Sequence, residues 1–197
     1  MNNWATNAKI GYIELTLAQL FLSINTIFGK ILVPNYPIFS LLTLRFFLGF
    51  SVLGIYLAFT KTKIRTELKA MKKSDWTVLA LKALCGGFLF NFLILYGLQY
   101  TTATVTGIMS STLPAFVALF SFIILKEKLS VTQLIAIALT GLGILLLSIG
   151  DYTAPESKDL YGLFFIALAM IPAALFTIFS KMINASLKPL TAILLMN

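Results

Sequence analysis

Apolar and polar positions do not alternate along this chain; they come in blocks. Six apolar stretches, at residues 11–33, 38–60, 76–98, 103–125, 129–150 and 160–183, are separated by short polar connectors. As a helix rising about 1.5 Å per residue, each is long enough to cross the roughly 30 Å hydrocarbon core of a bilayer. Water-soluble helices of such length show a polar face at a 3.6-residue period, and these mostly do not. The pattern predicts an all-α polytopic membrane protein with six full spans, embedded in a lipid bilayer.

Composition agrees: 59% of the 197 residues are hydrophobic and 11% are charged, a balance outside the range of soluble domains. The formal charge of +8 raises the question of nucleic acid, but its placement argues against it. Six of the fifteen basic residues (Lys61, Lys63, Arg65, Lys69, Lys72, Lys73) lie in one connector beside a span, as expected for a cytoplasmic loop near anionic lipid. No extramembrane segment is long enough to build a basic, aromatic-lined face, so no nucleic-acid partner is expected.

The sequence contains no histidine, which excludes His-based metal sites, His proton relays and Ser-His or Cys-His catalysis. Cys85 is the only cysteine and is expected to pack inside the third span. Neither paired carboxylates nor a metal-ligand cluster occurs, and the Gly-rich stretches lie inside spans rather than in a phosphate-binding loop. The chain therefore reads as no enzyme, with no cofactor and no metal; any transport would be driven by a gradient. The first apolar stretch is too long for a signal-peptide core and is kept as a span.

Loop charge predicts the orientation. With the Lys61–Asp75 connector in the cytoplasm, alternation puts Lys126-Glu127-Lys128 there as well, together with Lys181, Lys188 and the N-terminal Lys9. The turns at 34–37 and 99–102, which lack lysine and arginine, fall outside, as does the mainly acidic loop with Asp151, Glu156 and Asp159. A multi-pass protein of the inner (cell) membrane with a cytoplasmic N-terminus follows.

Two span ends echo each other: Asn25-Thr26-Ile27-Phe28-Gly29-Lys30 and Phe176-Thr177-Ile178-Phe179-Ser180-Lys181 share four of six residues, and a proline (Pro37, Pro189) follows each. A repeat read this way contains five spans. An odd number sends the second copy into the membrane from the opposite side, the inverted-repeat design of secondary transporters. Residues 1–150 are then a complete five-helix unit, and residues 151–197 hold the sixth span and the start of a seventh. After Leu190 the residues are too few for another crossing, so the second unit is expected to stop short by about three and a half spans.

Span one carries a polar arc. Gln19, Ser23, Thr26 and Lys30 are four, three and four residues apart and share a helical face, while Glu14 and Asn25 align on an adjacent one. Two readings are open. The arc lines a central cavity, with Asn25 and Ser23 contacting substrate, or it bonds neighbouring helices. Arg45, about two turns into the second span, either binds an anionic group or a helix C-terminus, or snorkels to the surface. Glu14 and Lys82 lie near the same membrane face and are candidates for an intramembrane ion pair. Ala103, Gly107, Ser111 and Ala115 recur every four residues in span four, a small-residue ladder suited to helix packing. Beside it Pro114 is expected to kink the helix or free a carbonyl. Tyr96 and Tyr100 read as interface-belt residues, with lining of an exit as the second role for Tyr100.

Read in order, Ser23-Ile24-Asn25, Lys30, Pro37, Arg45, Asn91, Gly97-Leu98-Gln99-Tyr100-Thr101-Thr102-Ala103, Pro114, Lys126-Glu127-Lys128 and Gln133…Gly141…Gly143 resemble the EamA-type permeases of the drug/metabolite transporter superfamily. Leu22 departs from the pattern, standing where a tryptophan is common. The resemblance implies a ten-helix permease that moves a small metabolite, amino acid-like or drug-like, often outward and by alternating access. It adds Asn91 to the pathway candidates Gln19, Ser23, Asn25, Thr26, Lys30, Arg45, Tyr100 and Ser111. Related small multidrug-resistance proteins use a first-helix glutamate for proton coupling, which makes Glu14 the candidate in an alternative, proton-coupled efflux reading. A non-transporting membrane interaction protein is the other alternative. The partners expected are a small-molecule substrate, lipid, and a second copy of the chain as a homodimer.

Overall fold

In the computed structural model, residues 3–59, 73–127, 129–150, 157–182 and Ile193 are described, and they are helical apart from short turns. Helix α1 (Asn3–Leu32) and helix α2 (Ile38–Phe59) are joined by a tight reversal. Helix α3 (Lys73–Lys82) runs through a π-helical stretch, Ala83–Leu89, into α4 (Phe90–Tyr100). Then come α5 (Ala103–Ser110), α6 (Leu113–Leu125), α7 (Val131–Gly150) and α8 (Ser157–Met182). Among the described residues four helical stretches are long and apolar enough to cross a membrane: Ile38–Tyr56, Ser74–Tyr100, Ala103–Leu125 and Leu160–Ser180. Shorter apolar stretches run along α1 (Thr16–Leu32) and α7 (Val131–Gly143). The protein is thus an all-α membrane protein. The basic connector at 61–72, the loop at 151–156 and the expected start of a seventh span lie outside the described residues, Ile193 excepted.

Local chemistry sets the boundaries. Pro37 precedes α2, and Leu41 N–H closes its first turn on the Pro37 carbonyl (3.1 Å). Thr102 caps α5 by accepting the Val105 N–H at 3.2 Å. Before α7, Ser130 and Gln133 form a reciprocal capping box: Ser130 N–H donates to Gln133 Oε1 (2.8 Å) and Gln133 N–H to Ser130 Oγ (3.3 Å). Lys126 ends α6 in the left-handed region, φ 54°. The fourth apolar stretch is broken into α5 and α6, as its proline suggested. Pro114 offers no N–H to the Ser110 carbonyl, and Ala115 N–H turns to Thr112 O at 2.9 Å.

Helix α8 is the packing hub, lying against α3, the π-helix, α4, α5 and α6. Lipid tails are as apolar as leucine, so apolar area alone gives membrane helices little reason to associate; close backbone approach does. That approach is visible at Gly97, where an added Cβ would stand 2.7 Å from Ile166 Cγ1 and 3.1 Å from the Gly162 carbonyl. Gly162 answers from α8: a Cβ there would stand 2.9 Å from Thr101 Cβ. Leu95, Leu98, Ile166, Ala169 and Met170 fill the buried core around this crossing. Helices α1 and α2 lie at the margin of the bundle, and their outer faces expose Phe21, Phe28, Phe47 and Phe59, as suits helices facing lipid.

Candidate functional site

Between α1, α2, α4, α5 and the start of α6 lies a cavity of about 660 Å³. Its wall brings together Gln19, Ser23, Asn25 and Thr26 from α1, Arg45 from α2, Asn91 from α4 and Ser111 after α5. Seven of the nine expected pathway residues therefore share one space. Leu22, Ile27, Phe90, Ile94, Leu95, Leu98 and Met170 supply its apolar surface.

The polar groups differ in what they have left to offer. Ser23 and Thr26 hydroxyls donate back to the carbonyls of Gln19 (2.9 Å) and Leu22 (3.0 Å), and Ser111 donates to Ile108 O at 2.6 Å. These are the usual ways a helical hydroxyl satisfies its proton, and they leave its oxygen free to accept. The side-chain amides of Gln19 and Asn25 have no hydrogen-bond partner among the described residues and are exposed along α1.

Arg45 reaches across to α4. Its Nη1 donates to Asn91 Oδ1 at 2.9 Å, and its Nη2 lies 3.9 Å from where a Gly29 Cβ would stand. Asn91 in turn donates to the carbonyls of Gly87 (2.7 Å) and Gly86 (3.2 Å). The π-helical register behind it explains the geometry: Phe90 N–H reaches back to Cys85 O, and the carbonyls after Cys85 take a side-chain donor. Nothing in the residue pattern before Asn91 marked this stretch except the adjacent pair Gly86-Gly87. A Cβ on Gly86 would stand 2.3 Å from the Phe176 ring.

Two expected pathway residues do not line the cavity. Lys30 donates to the Leu98 carbonyl at 2.8 Å; this holds a cation against the last turn of α4, where the helix dipole favours it. Tyr100 lies against Tyr96, ring centroids 5.6 Å apart, in a row with Phe92 (6.1 Å from Tyr96) and Phe88 (5.9 Å from Phe92). The row repeats every four residues, a signal legible in the sequence but not read there. Glu14 is exposed on α1 and does not pair with Lys82, which is buried with its ammonium 5.1 Å from the centre of the Phe176 ring. Most of the small-residue ladder also lies on the cavity. Ala103, Gly107 and Ser111 form cavity wall with Pro114, and a Cβ at Gly107 meets nothing within 4 Å. Only Ala115 of that ladder stands off the cavity. Cys85 is buried, as expected. Among the described residues no group of acidic, His or Cys side chains is placed to hold a metal.

Residues 9–149 match the EamA-like transporter family. The chain belongs to that family. It is 33% identical over 181 residues to the uncharacterized transporter YetK of Bacillus subtilis, covering 91% of this chain and 54% of YetK. The uncharacterized transporter YcxC of the same organism is 25% identical over 165 residues, 84% of this chain and 51% of that protein. A shorter relative, the uncharacterized protein MJ1333.1 of Methanocaldococcus jannaschii, is 30% identical over 135 residues, 68% of this chain and 93% of that protein. The chain spans about half the length of the uncharacterized transporters it matches. No solved structure matches it.

Proposed function

We propose that this EamA-like chain is part of a permease that carries a small metabolite, amino acid-like or drug-like, outward across the cell membrane by alternating access, without chemical conversion of the solute. The observation that carries this reading is the convergence of the polar arc of α1 with Arg45 and Asn91 on one cavity inside an otherwise apolar bundle. Polar groups at membrane depth are costly and mark solute paths. Loop charge supports a cytoplasmic N-terminus. The hexapeptide echo supports an inverted repeat of five-helix units, the first at 1–150 and a partial second at 151–197; the family match, which stops at residue 149, supports the same boundary. The cavity is open on one side, and a second inverted unit, or a second copy of the chain in a homodimer, would supply the opposite wall.

The test is solute flux. Purified full-length protein in liposomes is expected to release a trapped amino acid or hydrophobic drug faster than protein-free vesicles, and Asn25→Leu is expected to abolish the difference while inserting normally. Unchanged flux in Asn25→Leu would remove the cavity from the path; no solute-dependent flux at all would favour a non-transporting interaction protein. Glu14 stands exposed and off the cavity, so nothing favours proton coupling through it.

A further inference from the structure

Among the described residues Arg45 is the only charged side chain on the cavity wall. Of the acidic residues whose side chains are described, Glu14, Asp75 and Glu127, none lines it. Glu14 lies toward the far end of α1, Asp75 precedes the third apolar stretch, and Glu127 follows α6. A guanidinium at membrane depth without a carboxylate is electrostatically unbalanced. Its one hydrogen-bonded partner, Asn91 Oδ1, is a neutral acceptor. A guanidinium has five donors in a fixed fork, and the Asn91 bond occupies one.

Resting on the permease reading, we propose that Arg45 is the substrate-binding cation of the cavity and that the substrate is a small monocarboxylate with an apolar body. The charge count favours one negative charge over two. A phosphate monoester carries roughly −1.5 to −2 at neutral pH and calls for a second cation, but Lys30 is held on the Leu98 carbonyl and is off the wall. The carboxylate takes the free edge of the guanidinium, in the bidentate geometry that arginine fits. The Asn91 bond fixes the guanidinium plane from the other side. Asn25, one turn before Gly29 on α1, offers its unpaired amide to the same ligand. The body of the ligand lies along Phe90, Ile94 and Met170.

Binding is measured on the purified full-length protein in nanodiscs by calorimetry, with 3-phenylpropionate, its neutral amide 3-phenylpropionamide, and phenyl phosphate. Losing a charge-assisted pair costs a factor of about ten or more, so the acid is expected to bind at least tenfold tighter than the amide and tighter than the phosphate. Arg45→Gln is expected to erase the acid–amide difference, and Arg45→Lys to keep part of it. Equal binding of acid and amide by the unaltered protein overturns the proposal, and so does a preference for the acid that survives in Arg45→Gln. Should Arg45→Gln fail to fold, the acid–amide comparison and Arg45→Lys still decide. Flux of neutral solutes alone, with no carboxylate binding, would sink this inference and leave the permease reading standing; carboxylate binding without flux in liposomes would do the reverse.

Discussion

Arg45 on α2 and Asn91 on α4, 46 residues apart in the sequence, are joined by a hydrogen bond of 2.9 Å, and Asn91 passes that link on to the carbonyls of Gly86 and Gly87. One amide thus holds both the charge of the cavity and a π-helical stretch. Asn91→Leu removes both functions at once, leaving a guanidinium and a carbonyl at membrane depth without their partners. A hydrogen bond to a charged group is worth about 1.5–3 kcal/mol. Asn91→Leu is expected to lower the unfolding free energy in detergent by at least that much, read by denaturant titration. Leu93→Ala, beside it in α4, serves as a reference for simple loss of side-chain volume. If Asn91→Leu unfolds at the same midpoint as the unaltered protein, the link is decorative.

The π-helix is held from its other side by α8. Gly86 faces Phe176 so closely that a methyl group would meet the ring at 2.3–2.9 Å. Overpacking of this kind costs about 1–3 kcal/mol. Gly86→Ala is expected to destabilise the bundle within that range, and Phe176→Leu in the same chain is expected to recover part of the loss. The coupling between the two changes, measured as a double-mutant cycle, should be favourable and of the order of 1 kcal/mol. Strict additivity would mean that the two helices do not meet as described.

How much of this was legible in the residues follows from which signals are local. The polar arc of α1 was readable because polar side chains at four- and three-residue spacing stand out in an apolar stretch, and four of its members, Gln19, Ser23, Asn25 and Thr26, do face the cavity. Lys30 lies on the same arc, yet its side chain is long enough to reach Leu98 on another helix; spacing fixes a face, not a reach. The two readings of Arg45 could not be separated because its partner is 46 residues away. The hub role of α8 was hidden for a related reason. Gly162, Ala169, Ala173 and Ala174 are buried in it, but small residues also occur in α5, where Gly107 opens onto the cavity instead. A small side chain permits close approach without saying whether a helix or a solute comes near.

The cavity makes a prediction about water. Cys85, the only native thiol, is buried, so single cysteines can be introduced over a low background. Ser23→Cys and Ser111→Cys are expected to react with a charged, membrane-impermeant thiol reagent, because both positions line the cavity. Phe28→Cys and Phe47→Cys stand on outward faces of α1 and α2, 58% and 66% exposed in the isolated chain, and should be shielded by lipid. A reaction rate at Ser23 no faster than at Phe28 would mean that the polar arc is sealed by protein or lipid.

Three crossings between the basic connector around Lys61–Lys73 and the loop before α8, as the sequence reading expects, would put the two on opposite sides of the membrane. Thr66→Cys and Ser157→Cys, each in a Cys85→Ser background, should therefore be labelled by an impermeant maleimide from opposite sides of the membrane: Ser157→Cys in intact cells, and Thr66→Cys only after permeabilisation. The helix breaks at Ser111–Thr112, between α5 and α6. If α5 and α6 formed a re-entrant pair rather than one kinked crossing, the parity would change. Both thiols would then be labelled from one side, and the five-span repeat, which needs an odd count to invert its second copy, would fall with it.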